Sequence, residues 1–201
     1  MSGYRTIMSQ RSRRIAVKPD AKGLKELSED DLKAILRGAD DIIAQGGRTL
    51  LMRILRGSAS KDVLDRGLEQ SPVYGYFRGL SNEDTLARID WAILNGYLRI
   101  EYSNRLPLLV YTQEGWEIER ETYANELLEK IEAALKDGPP YEMAHLKDRD
   151  RGMILLLLDK VAATGNRNFI PALKAWKRVD YKKVQQRIQQ TIQRLEATDS
   201  R

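Results

Sequence analysis

The chain has 201 residues, 42% apolar and 31% charged, enough to bury a real core in one domain of ordinary size or one with a small appendage. It has no cysteine and a single histidine, His145, which excludes disulfides, thiolate and multi-histidine metal centres and cysteine nucleophiles, and argues against histidine-based catalysis. The net charge of +5 is unevenly spread: residues 1–18 carry five cations and no acid, residues 114–142 nine acids against three bases, and residues 147–201 thirteen bases against six acids. The longest apolar run, Met153 to Leu158, is far short of a membrane span, and the N-terminus lacks an apolar signal core. A soluble, cytoplasmic protein with no membrane partner is the expectation, and the basic balance points to an anionic partner.

Residues 1–23 read as a flexible basic arm, with Arg5, Arg11, Arg13, Arg14 and Lys18 on no apolar period, and Pro19 and Gly23 as breakers. Ser28, followed by Glu29, Asp30 and Asp31, has the pattern of a helix start leading into Leu32, Ile35 and Leu36. A second apolar period begins after Asp40 and is broken into two helical pieces by Gly46-Gly47. Gly57 ends it, and Ser60 is placed to cap a further helix from Lys61 to Glu69. Pro72 to Gly79 is turn-rich. Ser81 then caps a helix whose apolar stripe is Leu86, Ile89, Ile93 and Leu94, stopped by Asn95-Gly96. Tyr97 to Tyr102 alternates as a strand, Ser103-Asn104-Arg105 turns, and Leu106 to Tyr111 returns. An acidic helix from Gln113 to Lys136 follows. Asp148, Pro171 and Asp180 mark the starts of three more helices, the last with Val184, Ile188, Ile192 and Leu195 on one face. Helices, a two-stranded hairpin and a helix, in this order, are the plan of a winged helix-turn-helix.

Within that plan, Leu55-Arg56-Gly57-Ser58-Ala59-Ser60-Lys61 resembles the Leu-Arg-Gly-Ser-x-Ser segment of the RecQ C-terminal (RQC) winged helix. Gly47-Arg48-Thr49-Leu50-Leu51, Tyr74-Gly75, Ile89-Asp90-Trp91, Gly96-Tyr97-Leu98 and Thr112-x-x-Gly115 stand in matching order, so the resemblance spans residues 37–125. Gly46-Gly47-Arg48, Pro72-Val73-Tyr74-Gly75 and Ile89-Asp90-Trp91 are most similar to the stand-alone bacterial RQC-minor DNA-binding proteins, which lack a helicase engine. The resemblance implies that the Arg-Gly-Ser-x-Ser segment holds the DNA backbone, so Arg56, Ser58, Ser60 and Lys61 are candidate contacts. Hydroxyls, free amides and cations at a turn suit phosphate in any case. The family's wing carries a wedge residue. Here the turn is short and is followed by the aliphatic Leu106, with Tyr102 the nearest aromatic, so strand separation is not expected. Arg48, Arg88, Arg99, Tyr102 and Arg105 complete the candidate DNA-binding residues.

Ile170-Pro171-Ala172-Leu173, then Asp180 and Val184, is similar to one HEAT repeat, which must pack on the winged helix or a partner because one repeat leaves a face uncovered. The expected fold is mainly α with a small antiparallel β wing: an arm and short helix over 1–36, a winged helix over 37–138 and a HEAT-like helical segment over 139–201. No phosphate loop of the Gly-x-x-x-x-Gly-Lys-Ser/Thr type, zinc cysteines or nucleophile elbow occurs, so no cofactor, metal or catalytic residue is assigned. The expected function is non-enzymatic binding of DNA ends, forks or junctions, in DNA repair. The alternatives are an adaptor for a helicase or nuclease partner and a sequence-reading transcriptional regulator.

Overall fold

Ser28 ends an extended approach and starts α1 (Glu29–Asp40) in the computed structural model, which describes residues 16–197. Its hydroxyl accepts the Asp31 amide, and three carboxylates in the first turn complement the helix dipole. Leu32, Ile35, Leu36 and Ala39 fall on one face and are buried. They meet α2 (Arg48–Arg56), through Leu51, Ile54 and Leu55, and α4 (Asn82–Leu94), through Ile89 and Ala92. The short α3 (Lys61–Leu64) stands between these last two. Ser81 caps α4 as expected, accepting from the Asp84 amide at 3.0 Å.

The wing is an antiparallel hairpin of β1 (Leu98–Ser103) and β2 (Leu106–Tyr111), with Leu98 paired to Tyr111 and Ser103 to Leu106. Its inward residues Leu98 and Leu109 close the three-helix core. Asn104 in the turn takes a left-handed φ of 55°, which asparagine tolerates. Thr112 then opens α5 (Gln113–Asp137) by accepting the Gly115 amide.

Two expected helical stretches differ. Residues 41–45 form turns rather than a helix, because the Ala44 amide donates to the Leu109 carbonyl and the Leu109 amide to the Gly46 carbonyl. The segment is thus drawn against the wing, and Ala44 adopts φ 57° to follow it. The helix expected from Lys61 to Glu69 stops at Leu64, with a left-handed Gly67 and a 3-10 turn at Leu68–Gln70. Ser60 gives it no side-chain cap.

α5 serves two cores. Ile118 packs on the first, while Tyr123, Ala124, Leu127 and Ile131 enter a second built with α6 (Arg151–Ala163), α7 (Ile170–Val179) and α8 (Lys182–Ala197). This is how the uncovered face of the α7–α8 pair is buried: Trp176, Val184, Ile188 and Leu195 join Leu157, Leu158 and α5 in the same chain. Asp150, rather than Asp148, caps α6. The buried Asp180 carboxylate accepts the Trp176 indole N–H at 2.7 Å and the Tyr181 amide at 2.6 Å, tying α7 to α8. Among the described residues no helix is long and apolar enough to cross a membrane.

Arg5, Arg11, Arg13 and Arg14 of the arm lie outside the described residues. The remainder of the arm, expected to be flexible, is docked. The Val17 amide donates to the Tyr102 hydroxyl, the Asp20 amide to Asp90, and Lys22 pairs with Glu83.

A buried polar cluster joins the two cores. Arg37 of α1, 6% exposed, donates to Glu126 at 2.8 Å and lies 4.2 Å from the Tyr123 ring centroid, while Glu119 has no exposed surface and neither of its oxygens is hydrogen-bonded. Burial first, then Asp40, push the Glu119 carboxyl up to about 9, against the opposing pull of Arg37 at 3.9 Å. Glu126 and Asp41 add to the upward push, and Tyr111 and Tyr123, both raised first by burial, also face the site. An acid held protonated in the fold but ionised when unfolded stabilises least at high pH. Its contribution is whole below about 4.5 and falls by about 1.4 kcal/mol per pH unit up to about 9. In urea titrations, Glu119→Gln is expected to gain on the native chain as pH rises from 6 to 8.5. A gap that stays constant or shrinks contradicts a protonated Glu119.

Candidate nucleic-acid interface

The corner after α2 is shaped by two glycines in the left-handed region, Gly57 at φ 71° and Gly75 at φ 76°. The two meet backbone to backbone: a Cβ on Gly57 would stand 3.1 Å from the Gly75 Cα, and one on Gly75 would stand 2.9 Å from an Arg78 guanidinium nitrogen. A side chain at either position would push Arg78 off the corner, so glycine is required for conformation and for space. The Gly75 and Phe77 amides donate to the Ile54 and Leu55 carbonyls, which holds the turn-rich segment of residues 72–79 on the end of α2.

Arg56 completes this joint. Its Nη1 donates to the Arg78 carbonyl at 2.9 Å and its Nε to Asn82 Oδ1 at 3.2 Å, so it fixes the corner against the start of α4. Ser58 accepts the Ser60 amide, at 3.3 Å. The Ala59, Lys61 and Asp62 amides donate to no acceptor among the described residues. Lys61 and Arg78 are exposed and form no ion pair among those residues. The nearest acid along the chain, Asp62, is engaged by Arg53 at 2.8 Å. The corner therefore offers free donors and two unneutralised cations, which is what a phosphate run needs.

Beside it lies a cleft of about 450 Å³ between the wing (Ile100, Leu106 to Leu109) and the α2–α3 face. Arg66 stands on its rim, exposed and outside any ion pair among the described residues. Arg105 is exposed in the wing turn, and Leu106 beside it is 67% exposed. Arg99, also on the wing, pairs with Glu101 in the open at 2.7 Å, a contact that solvent and a polyanion both weaken.

The other candidates have internal work. Arg48 is ion-paired with the buried Asp90 and so locks α2 to α4. Arg88 lies 3.6 Å from Asp31, donates to the Asp84 carbonyl and sits over Phe77, because a long side chain off the apolar stripe of α4 still reaches the α1 side of the core. The Ser60 hydroxyl is shielded from solvent and makes no hydrogen bond. Tyr102 accepts the Val17 amide and anchors the arm. Trp91 is half-buried and stacked on Tyr97, with centroids 6.0 Å apart. The sequence reading missed Arg66 and Arg78. The left-handed Gly75 three residues before Arg78 was the available signal, since a glycine pair marks a close backbone approach that a neighbouring side chain can cover. Among the described residues no group of three or more His, Cys, Asp or Glu could hold a metal ion.

Three helices around one core, a two-stranded wing and a cation-bearing corner define a winged helix-turn-helix. The chain belongs to the RQC family: the model of the RQC domain matches residues 25–133, from just before α1 into the last turns of α5. An RQC domain is a DNA-binding winged helix and is not itself catalytic. No curated protein and no solved structure gives a significant match.

Proposed function

We propose that this chain binds DNA ends, forks or junctions through their phosphates, as a non-enzymatic protein of DNA repair in the cytoplasm. The observation that carries this reading is the Gly57–Gly75 joint, which presents Arg78 and Lys61 beside unpartnered amides. Arg66 and the wing cations Arg99 and Arg105 take a second run of phosphates across the cleft. Reading of base sequence is disfavoured by α4 itself, which begins with Glu83 and Asp84 and whose single cation, Arg88, is held internally. The two-residue wing turn, Asn104-Arg105, with the exposed Leu106 beside it, suits capping a terminal base pair rather than splitting it.

Mobility-shift titrations on blunt duplex, fork and single strand of equal length test the proposal. The fork and the duplex are expected to bind at least about tenfold more tightly than the single strand, with no strand released from the fork. Equal affinity for all three, or binding to none, overturns it. A second reading, docking of a helicase or nuclease, is favoured by a different surface. A groove between α1 and α5 is lined by Asp30, Glu114, Glu117 and Glu129, with the half-exposed Tyr76 on its wall. That face repels DNA and is left open for a basic partner.

A further inference from the structure

The C-terminal bundle, beyond the family match, has a cleft of its own. It measures about 530 Å³ and is lined by Lys147, Arg149 and Arg151 ahead of and at the start of α6, and by Tyr181, Lys182 and Lys183 at the start of α8. None of these five cations forms an ion pair among the described residues. The one carboxylate in the lining, Asp148, is engaged by the Tyr181 hydroxyl at 2.9 Å. Lys147 lies over the Tyr181 ring at 4.9 Å, and Arg149 donates to the His145 carbonyl. Tyr181 itself is 56% exposed, so an aromatic face is presented among the cations.

The placement of these charges runs against local stability. The first turn of α1 carries Glu29, Asp30 and Asp31, and that of α4 carries Glu83 and Asp84, each on the favourable side of the helix dipole. α6 has an acid at its cap, Asp150, but begins with Arg151, and α8 begins with Lys182 and Lys183; neither has an acid within its first turn. Cations there are opposed by the dipole and by one another, and an anion between them relieves both. The cleft also adjoins the winged helix. Arg149 and Arg37 of α1 both stack on Tyr123, and the segment that follows α1 runs on to Gln45, Gly46 and Gly47 in the wall of the wing cleft.

We propose that this bundle cleft is a second site for the DNA phosphate backbone, engaging the duplex past the stretch held by the winged helix. It rests on the reading of the α2–α3 corner as a DNA contact. On this proposal a duplex of about 12 base pairs, about 40 Å long, is expected to engage the first site only, and one of about 30 base pairs to engage both.

Anisotropy titrations of the full chain with the two duplexes separate the possibilities. The triple variant Arg151→Glu, Lys182→Glu and Lys183→Glu is expected to bind the long duplex at least about tenfold more weakly and the short one within about twofold of the native chain. Its salt slope on the long duplex shrinks by about 2–3, near 0.9 for each phosphate contact removed. Its melting temperature is expected to hold or rise, since each new acid stands at a helix start. The milder Lys182→Gln, Lys183→Gln pair moves the long-duplex affinity the same way by a smaller factor. Losses equal on both duplexes, or none on either while Lys61→Ala, Arg78→Ala weakens both, overturn the second site and leave the first standing. The latter result would mark the cleft as a seat for an acidic protein. Failure of the native chain to bind either duplex overturns both sites.

Discussion

Arg37→Ala is expected to lower the unfolding free energy by about 3–5 kcal/mol at neutral pH, the range for breaking a buried ion pair from one side. Arg37 is 6% exposed, and its guanidinium faces Glu126 at 2.8 Å, Asp41 at 3.5 Å and Asp40 at 3.9 Å. Removing it leaves those half-buried carboxylates without their shared cation and opens a void beside Tyr123. Arg37→Lys recovers only part of the loss, because an ammonium cannot keep the planar stacking on Tyr123 together with the Glu126 bond. Since this cluster links α1 to α5, the winged helix and the C-terminal bundle are expected to unfold in one transition in the native chain. Denaturant titration followed by tryptophan fluorescence checks both statements: Trp91 and Trp116 report the first region and Trp176 the second. A loss below about 1 kcal/mol would show that Arg37 is dispensable to the joint between the cores.

The second large effect falls on binding. Lys61→Ala together with Arg78→Ala is expected to weaken affinity for a short duplex by about 10–100-fold, as two charge-assisted phosphate contacts are lost. Neither side chain is buried or ion-paired among the described residues, so the fold is left intact and the melting temperature moves by no more than about 1–2 °C. Arg56→Ala differs in kind. It removes two hydrogen bonds that hold residues 72–79 and the start of α4, so it is expected to lower stability as well as affinity.

Much of the fold was legible because its signals are local. Ser28 and Ser81 cap within three residues of themselves, and the apolar periods of α1, α4 and α8 need no knowledge of what they meet. The Leu-Arg-Gly-Ser-x-Ser segment carried the family because its glycine has one conformation that fits. What was missed is non-local. Residues 41–45 have a helical pattern, yet β2, more than sixty residues on, supplies their hydrogen-bond partners. Asp180, with the pattern of a cap, gives one oxygen to the Tyr181 amide ahead of α8 and the other to the Trp176 indole, a partner its spacing does not reveal.

The candidate site shows the same division. A basic residue in a suggestive position can serve a distant partner, and only the fold reveals this: Arg48 goes to Asp90, 42 positions away, and Arg88 to Asp31, 57 positions back. Arg78 was hidden for the opposite reason. Its role depends on a backbone crossing between Gly57 and Gly75 that no spacing rule encodes.

Duplex affinity measured against salt concentration tests the central claim most directly, because phosphate contacts release counterions in proportion to their number. With Lys61, Arg66, Arg78, Arg99 and Arg105 each neutralising one phosphate of a short duplex, the logarithm of the association constant is expected to fall with a slope of about −4 to −5. The same titration with Lys61→Ala, Arg78→Ala should give a slope shallower by about 2. A slope near zero for the native chain, or one that the double variant leaves unchanged, would contradict a duplex held by its phosphates at this corner.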